Sequence, residues 1–264
     1  MRHTILTPVG VAVSDLQVVA MDAATVAELT YLLAVHGVAV MANQAIDDRA
    51  FATFLQQFGN LTFSKGEEPL PGFPDLNVIT NLNRSTPPRS VFHVDTSYVR
   101  QPPAYTALRA VQIPEHGGQT LFTNQYRAFD TLSSKLRAHL AGRVMTHVVT
   151  GVNPGPDEET CAKHPVFGRH PISGRTALYL STPERCVAIS GMTDTAAADM
   201  IQLLYAHSTT AANTFRHTWS ERDLVMWDNR CVMHRADHAN VGGHRVMHRG
   251  MVAGRSLLPV GSAR

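Results

Sequence analysis

Apolar residues recur at helical intervals near the start of the chain. In residues 24–37 they are spaced three and four positions apart, and Gly37 stands where a helix can end. Residues 47–58 carry a second apolar stripe, rich in phenylalanine, behind an aspartate that can cap a helix. The short apolar run 38–41 lies between them. This pattern predicts two helices that flank a buried strand, with both stripes packed into the core.

Short strand-like runs dominate from residue 75 onward. Helical spacing returns only in residues 126–140 and in residues 195–207, where Thr193 or Asp194 can cap the helix. Many short strands separated by Gly, Pro and Asn turns favour a double-sheet roll whose mouth can hold a small ligand. We therefore expect a mainly β fold with added helices and a jelly-roll core. The predicted strands are 76–80, 91–98, 105–113, 120–123, 144–152, 177–180, 224–227 and 245–252.

Composition agrees with one enzyme-sized domain that covers residues 1–264. A chain of 264 residues with 44% hydrophobic residues can build one sizeable core, and 18 Gly with 15 Pro supply its turns. The 23 Lys and Arg against 21 Asp and Glu leave a net charge of +2, with no basic block. A nucleic-acid partner is therefore not expected.

The sequence predicts a cytoplasmic protein. No run approaches about 18 consecutive apolar residues, and the N-terminus has no continuous apolar region, so we expect neither membrane spanning nor secretion. Cys161, Cys186 and Cys231 are widely spaced, and we interpret them as reduced thiols buried like small apolar side chains. Composition leaves a homo-oligomer open.

A His-x-Asp pair is the first candidate for chemistry. Among 14 histidines, only His93 is followed two positions later by an acidic residue, Asp95. In a strand these two side chains would point to the same side and could bind one ion. His234, which follows a Trp-Asp-Asn sequence, can complete the set. Two imidazoles and one carboxylate are typical of non-haem Fe(II) oxygenases, and a hydrogen-bonded surface histidine is the alternative.

Two arginines follow in the last predicted strand. Arg245 and Arg249 lie four residues apart, so a regular strand would direct both side chains into one cavity. A guanidinium can bind a carboxylate through two parallel hydrogen bonds. The pair therefore indicates an organic acid as ligand, with a solvated basic strand face as the alternative.

Together these motifs resemble the taurine dioxygenase (TauD/TfdA) family of Fe(II)/2-oxoglutarate-dependent oxygenases. Their spacing agrees as well, including 27 positions from His93 to Thr120 (120 − 93), and the similarity runs from about residue 10 to residue 254. The resemblance implies a dioxygenase with a double-stranded β-helix core of the cupin-like type. The matching features are His93-x-Asp95, the Gly-Gly-Gln-Thr-Leu-Phe-Thr segment at 117–123, Trp-Asp-Asn before His234, and Arg245 with Arg249.

The resemblance also implies roles for single residues. The Fe(II) ligands would be His93, Asp95 and His234. Arg245 would pair with the distal carboxylate of 2-oxoglutarate, and the Thr120 hydroxyl would donate a second hydrogen bond to it. Arg249 would hold either the substrate acid or the 1-carboxylate of 2-oxoglutarate. With O2, such an enzyme would hydroxylate a small organic acid, or cleave it oxidatively, and release succinate and CO2.

The substrate contacts depart from the taurine-cleaving members of the family. Their sulfonate-binding histidine and tyrosine correspond to residues 61–68 here, where neither residue type occurs. Taurine is therefore not the expected substrate. We take Tyr98 and Lys65, with Arg249, as candidate contacts to a small anionic substrate, and Arg100 as a weaker candidate.

Three other functions remain open at this point. A zinc hydrolase could use the same two histidines and carboxylate, although it has no evident use for Thr120, Arg245 and Arg249. A nucleic-acid demethylase of the same superfamily would show a more basic surface and a different arginine spacing. A non-enzymatic jelly roll that binds a small molecule would not convert 2-oxoglutarate to succinate.

Overall fold

Strands make up most of the regular structure in the computed structural model, which describes residues 1–82 and 90–260. They are β1 (Arg2–Ile5), β2 (Val11–Ser14), β3 (Val38–Met41), β4 (Leu61–Thr62), β5 (Pro69–Leu70), β6 (Phe73–Thr80), β7 (Tyr105–Gln112), β8 (Thr120–Asn124), β9 (Val144–Val148), β10 (Cys161–Pro165), β11 (Phe167–Arg169), β12 (Thr176–Leu178), β13 (Cys186–Ile189), β14 (Thr214–His217), β15 (Leu224–Asp228), β16 (Val232–Ala236), β17 (Val246–Val252) and β18 (Leu258–Pro259).

Helices fill gaps between the strands and begin at side-chain caps. Asp22 and Asp47 accept hydrogen bonds from backbone N–H groups in the first turns of the first two helices, each at 2.8 Å. Gly37 ends the first with a φ of 81°, a conformation that glycine adopts without strain. The helices are α1 (Ala23–His36), α2 (Asp48–Gln56), α3 (Gln125–Asp130), α4 (Ser134–Leu140) and α5 (Asp194–Ser208), and short 3-10 turns occur at Val18–Ala20 and Ala211–Asn213.

Two sheets form the centre of the fold. The large sheet has the order β1-β2-β3-β15-β7-β17-β6-β5, with β4 also paired to β17. Its strands pair antiparallel apart from β2 and β3, which are parallel. The small sheet has the order β14-β8-β16 and is antiparallel. Two further three-stranded sheets, β10-β9-β13 and β12-β11-β18, complete the topology of the described residues.

Apolar side chains from the large and small sheets meet in one buried cluster, so the two sheets pack against each other. The members that join the sheets are Leu108, Val225, Trp227 and Met247 from the large sheet and Phe122 and Val232 from the small one. This arrangement confirms the expected mainly β fold with a jelly-roll core.

The large sheet is covered on its other face by α1 and α2. Phe51, Phe54 and Leu55 of α2 pack in a second cluster with Leu224 and Met226. Because alternate residues of β15 face the two clusters, this strand is buried on both sides. Its first four residues, 224–227, are for this reason all apolar. The prediction that the aromatic stripe of α2 belongs to the core is confirmed.

One predicted helix is two helices in the structure. The segment 126–140 divides at residues 131–133, between α3 and α4. Thr131 Oγ1 donates to the Arg127 carbonyl at 2.8 Å, and Ser133 Oγ accepts from Leu136 N at 3.2 Å. These side chains satisfy backbone groups in place of a continuous helix, so the first helix ends and the second starts at its own cap.

The predicted strand 91–98 is also wrong. His93 forms an isolated bridge with His234 of β16, and a turn follows at once. Val99 N donates to Thr96 O at 3.1 Å, and Thr96 has a φ of 41°. The chain therefore leaves the small sheet directly after His93, because the turn bends the backbone away from the edge of β16.

The three cysteines carry no disulfide. Cys186 and Cys231 are buried, as expected, whereas Cys161 is exposed, because its position on β10 faces outward. Among the residues that the structure describes, no helix combines the length and apolar character that crossing a membrane requires.

Candidate active site

A cavity of about 710 Å³ opens where the large and small sheets meet. Its walls come from β6, β7, β8, β15, β16 and β17, from the loop before β5 and from the turn after His93. The structure brings seven of the eight predicted site residues into its lining: His93, Asp95, Tyr98, Thr120, His234, Arg245 and Arg249.

The two histidines and the aspartate form a candidate metal site. Their possible ligand atoms all lie within 4.8 Å of one another. His93 Nε2 is 3.7 Å from Asp95 Oδ1, and His234 Nε2 is 3.9 Å from Asp95 Oδ2. The backbone N–H and C=O groups of His93 and His234 form two reciprocal hydrogen bonds of 2.9 and 3.0 Å. This bridge places the two residues directly opposite each other.

The hydrogen bonds around the histidines leave nitrogens available for a metal. His93 Nδ1 lies 2.9 Å from the Val91 carbonyl, which can only accept, so Nδ1 carries the proton and Nε2 has a free lone pair. Metal-bound histidines commonly orient their rings in this way. The Nδ1 atom of His234 is buried and has no partner among the described residues. The three side chains therefore fit a divalent metal of the Fe(II) type.

A chain of buried hydrogen bonds orients the carboxylate. Asp95 Oδ2 accepts from Thr106 Oγ1 at 2.7 Å, and this hydroxyl accepts from Asn229 Nδ2 at 2.8 Å. Asn229 Oδ1 in turn accepts from Trp227 Nε1 at 3.2 Å. The Trp-Asp-Asn motif is thus connected to the metal site through Thr106. It helps to hold the Asp95 carboxylate in its position next to His93 and His234.

Charges in the site keep the aspartate ionised. Burial alone would raise the pKa of Asp95, but the contact with His93 and the charge of Arg249 act in the opposite direction, and the pKa lies well below its usual range. Burial lowers the pKa of His234 to about 3. At neutral pH the set is therefore one carboxylate and a neutral buried imidazole, the protonation states that a metal requires.

Arg245 is a buried cation that pairs with no carboxylate in the described part of the chain. Its Nε donates to Gly118 O at 2.8 Å and its Nη2 to Thr120 Oγ1 at 3.3 Å, but Nη1 is buried and has no partner among the described residues. Burial lowers its pKa to about 10, so it stays charged at neutral pH. A buried charge of this kind is costly unless an anion pairs with it.

Thr120 and Gly118 complete this anion site. Thr120 Oγ1 accepts from Arg245 and from Trp219 Nε1, the latter at 3.0 Å. Since a hydroxyl has two acceptor positions and one proton, the Thr120 proton remains for an incoming oxygen. Gly118 has a φ of 69°, and a Cβ there would lie 3.0 Å from Arg245 Cδ. Glycine therefore allows the arginine to pass close to the backbone.

Arg249 lines the same cavity and is hydrogen-bonded to the protein. Its Nε donates to Asn77 Oδ1 at 3.1 Å, and its Nη1 is 3.5 Å from Asp95 Oδ1. Its Nη2 donates to Glu67 Oε2. Arg249 belongs to β17, whereas Arg245 precedes that strand and the pairing shifts register between residues 246 and 247. The two arginines line one cavity although they do not belong to one regular strand.

Tyr98 and Arg185 form another part of the wall. The Tyr98 side chain is buried, and the Arg185 guanidinium lies 5.4 Å from the centre of its ring. Arg185 Nη1 donates to the Val94 carbonyl at 2.9 Å, next to both residues of the His-x-Asp pair. Burial raises the pKa of Tyr98, so the phenol is neutral at physiological pH.

Lys65 is the predicted site residue that the structure places elsewhere. Its side chain is 61% exposed, it is not among the lining residues, and its Nζ is 3.8 Å from Glu158 Oε1. Arg100 is 81% exposed and pairs with Glu159. Both cations have surface partners outside the cavity.

The amino-acid sequence agrees with this geometry. Residues 3–251 match the family model described as "Taurine catabolism dioxygenase TauD, TfdA family". The chain belongs to the TauD/TfdA family. The family model describes a dioxygenase, a reaction class that the zinc hydrolase and the non-enzymatic binder do not share.

Relatives in the TauD/TfdA family carry several activities in their names. The chain is 29% identical over 62% of its length to an alpha-ketoglutarate-dependent 2,4-dichlorophenoxyacetate dioxygenase of Burkholderia sp. (strain RASC), covering 58% of that protein. It is 26% identical to an alpha-ketoglutarate-dependent sulfate ester dioxygenase of Pseudomonas putida, with 91% of this chain and 84% of the relative covered. The chain spans about half the length of several curated relatives that it matches.

A solved TauD/TfdA structure has the same fold. The crystal structure of a taurine dioxygenase from Burkholderia xenovorans superposes with a TM-score of 0.86 at 26% sequence identity. The match covers 98% of this chain and 93% of the other. The jelly-roll core and the family assignment therefore rest on both sequence and structure.

Several residues of this TauD/TfdA site escape sequence reasoning. Glu67, Asn77, Thr106, Arg185 and Trp219 contact predicted site residues or line the cavity. Glu67 lies in the segment 61–68, which lacks the histidine and tyrosine of the taurine-cleaving members, and Asn77 and Thr106 lie on predicted strands. The others are single polar residues on strands or loops, and their spacing carries no pattern that would single them out.

Proposed function

We propose that this protein is an Fe(II)- and 2-oxoglutarate-dependent dioxygenase that oxidises a small organic acid. The observation that carries the proposal is the buried Arg245 guanidinium, whose Nη1 has no partner among the described residues, in the same cavity as the three candidate metal ligands. A dicarboxylate that reaches both the metal and Arg245 would satisfy this charge. We assign the whole chain, residues 1–264, to this one catalytic domain.

The protein groups would divide the work as follows. His93, Asp95 and His234 would hold Fe(II). Arg245 and the Thr120 hydroxyl hold the distal carboxylate of 2-oxoglutarate. Iron and 2-oxoglutarate, once bound, supply O2 activation and the oxidation of a substrate C–H bond, with release of succinate and CO2.

The substrate is a small acid oriented by Arg249. Arg249 lines the cavity beside Asp95, with Tyr98 in the same wall, so an acid bound there lies next to the metal. The dichlorophenoxyacetate and sulfate ester in the names of two relatives are both anionic. Hydroxylation yields an alcohol, and cleavage follows where the oxidised carbon bears a leaving group such as a sulfate or aryl ether.

Substrate-dependent succinate formation tests the proposal. The purified protein is incubated with Fe(II), O2 and 2-oxoglutarate, and small carboxylates, sulfonates, sulfate esters and aryloxy acids are added one at a time. At least one acid should raise succinate formation well above the acid-free rate, and omission of Fe(II) or O2 should abolish the increase. Equal succinate formation with and without every acid would contradict the proposed substrate class, and product formation without 2-oxoglutarate would contradict the reaction.

A further inference from the structure

Arg249 already has a carboxylate partner inside the cavity. Its Nη2 donates to Oε2 of Glu67, and its Nε donates to Oδ1 of Asn77 at 3.1 Å. Asn77 Nδ2 donates to the same Glu67 oxygen. Each of the three side chains is hydrogen-bonded to the other two. Arg249, which is proposed to bind the substrate acid, therefore already has an anionic partner.

The backbone holds Glu67 in this position. Glu67 N donates to Ser64 O at 3.2 Å and closes a turn. Gly66 within this turn has a φ of 87°, and any Cβ there would clash with the backbone carbonyl of Asn153. The position of Asn77 is also fixed by the backbone, because Asn77 and Arg249 are paired residues on the neighbouring strands β6 and β17. The contact is therefore built into the wall of the cavity.

Donors and an acceptor remain free on this pair. A guanidinium has five N–H donors, and three hydrogen bonds from Arg249 involve Asn77, Glu67 and Asp95. Both hydrogen bonds to Glu67 end on Oε2, and Oε1 accepts none from the described residues. Glu67 lines the cavity and its side chain is 25% exposed. The cavity thus offers arginine donors beside an open carboxylate oxygen.

Charge decides which substrate suits this pair. A simple acid on Arg249 would place a second anionic group beside Glu67 on one guanidinium in a partly buried site, which is unfavourable. A cationic nitrogen on the same substrate, next to its acid group, could pair with Glu67 Oε1 and restore balance. An acid that carries its own amine meets both partners without breaking the existing contact.

We infer that Glu67 is a specificity-determining residue and that the prime substrate is a zwitterion, an organic acid with a protonated amine close to it. The acid binds the remaining donors of Arg249 and the amine binds Glu67. This inference rests on the proposed function, since it describes the substrate of the same site.

Matched pairs of acids test the inference in the wild-type protein. Carboxylates and sulfonates of two to six carbons are each assayed with and without an amino group, and kcat/KM is measured from succinate formation. The amino member of the preferred pair should be used at least about tenfold better than the amine-free member, because only it balances Glu67.

Glu67→Gln separates charge from shape. The amide keeps the size of the side chain but removes the negative charge, so the preference for the amino member should fall at least about tenfold. Affinity for 2-oxoglutarate, titrated without O2, should be unchanged because Arg245 is untouched. The matched control is Glu158→Gln, which removes a surface carboxylate paired with Lys65 and should keep the wild-type preference.

The outcomes distinguish the two proposals. If acids support coupled succinate formation but amine-free members are used equally well, and Glu67→Gln alters neither, the zwitterion inference is overturned and the oxidation of acids stands. If no acid, with or without an amine, raises succinate formation, the proposed substrate class fails and the inference fails with it. If the wild type prefers amino acids or aminosulfonates and Glu67→Gln removes this preference, the result supports both the proposed function and the zwitterion inference.

Discussion

Asp95 joins the metal site to its surroundings, so its loss should affect metal binding more than folding. Asp95→Ala removes one of three candidate ligands, and we expect metal affinity to fall by more than the 10–100-fold that outer partners cost. Isothermal titration with Mn(II), which accepts the same oxygen and nitrogen ligands, measures this. Asp130→Ala, at an exposed carboxylate paired with Arg175, is the control. Unchanged Mn(II) affinity in Asp95→Ala would refute the assignment.

Thr106 acts on the metal site through Asp95. Thr106→Val keeps the shape of the side chain but removes the 2.7 Å hydrogen bond to Asp95 Oδ2 and the acceptor for Asn229 Nδ2. We expect metal affinity to fall by about 10–100-fold, as for other partners of metal ligands. Thr106→Ser should restore most of the affinity, a rescue that a purely packing role would not produce.

Arg245 and Thr120 should differ in their effect on 2-oxoglutarate. Arg245→Ala leaves the distal carboxylate without its counter-charge, a loss of about 2–5 kcal/mol, so KM for 2-oxoglutarate should rise by orders of magnitude. Thr120→Ala removes one hydrogen bond to a charged group, about 1.5–3 kcal/mol, and should raise KM less. Mn(II) affinity should stay unchanged in both variants. A normal 2-oxoglutarate KM in Arg245→Ala would place the cosubstrate elsewhere.

Among the elements, α2 packs closely against β17 at Gly250. A Cβ at Gly250 would overlap the Leu55 side chain and lie 2.7 Å from Leu76 Cδ2. Gly250→Ala should therefore lower the free energy of unfolding by about 1–3 kcal/mol. Leu55→Ala alone leaves a cavity and should cost about 2–5 kcal/mol.

The double variant tests this contact. In Gly250→Ala with Leu55→Ala, the new methyl group enters the space that Leu55 leaves, so the combined loss should be smaller than the sum by about 0.5–3 kcal/mol. Urea unfolding of the wild type, both single variants and the double variant gives the comparison. Strict additivity would mean that residue 250 does not contact Leu55.

At the scale of helices and strands, the apolar pattern of the sequence predicts some elements of the structure and misses others. Apolar spacing predicts α1, α2 and α5 and most of the long strands, because each of them carries apolar side chains at regular intervals that become buried in the core. The strand β16, which carries His234, was not predicted. It has only five residues, and its apolar start passes into His234, Arg235 and Ala236, so its sequence shows neither a clear alternation nor an apolar run.

At the scale of the whole molecule, ligand binding should stabilise the fold stepwise. A ligand at 100 times its Kd adds about 2.7 kcal/mol to the free energy of unfolding. Mn(II) should raise Tm by several degrees, and 2-oxoglutarate should raise it further only when Mn(II) is present, because the proposed site requires the cosubstrate to contact the metal as well as Arg245. Thermal unfolding without O2 measures both increments.

Arg245→Ala provides the control for this stepwise effect. The variant should keep the Tm increase caused by Mn(II) and lose most of the additional increase caused by 2-oxoglutarate. A full response to 2-oxoglutarate without any metal would show that the metal site and the arginine do not act on one ligand.

The sequence by itself determined the chemistry of the site to a large degree. His93, Asp95, His234, Thr120 and Arg245 were named from residue type, spacing and family resemblance, and the fold places all five around one cavity. This was possible because a metal and a carboxylate demand particular side chains at defined separations along the chain. The fold class followed from the same kind of local pattern, since short strands and turns leave their mark in apolar spacing and in glycine and proline.

Tertiary structure alone decided the environment of those residues. It showed that His93 and Asp95 lie on a bridge and a turn, that Lys65 pairs with Glu158 outside the cavity, and that Glu67 already pairs with Arg249. Glu67 and Arg249 are 182 residues apart in sequence. Nothing in local spacing reports such a contact, because it arises only when β17, β6 and the loop before β5 pack side by side. The charge balance that selects the substrate is for this reason a property of the folded chain.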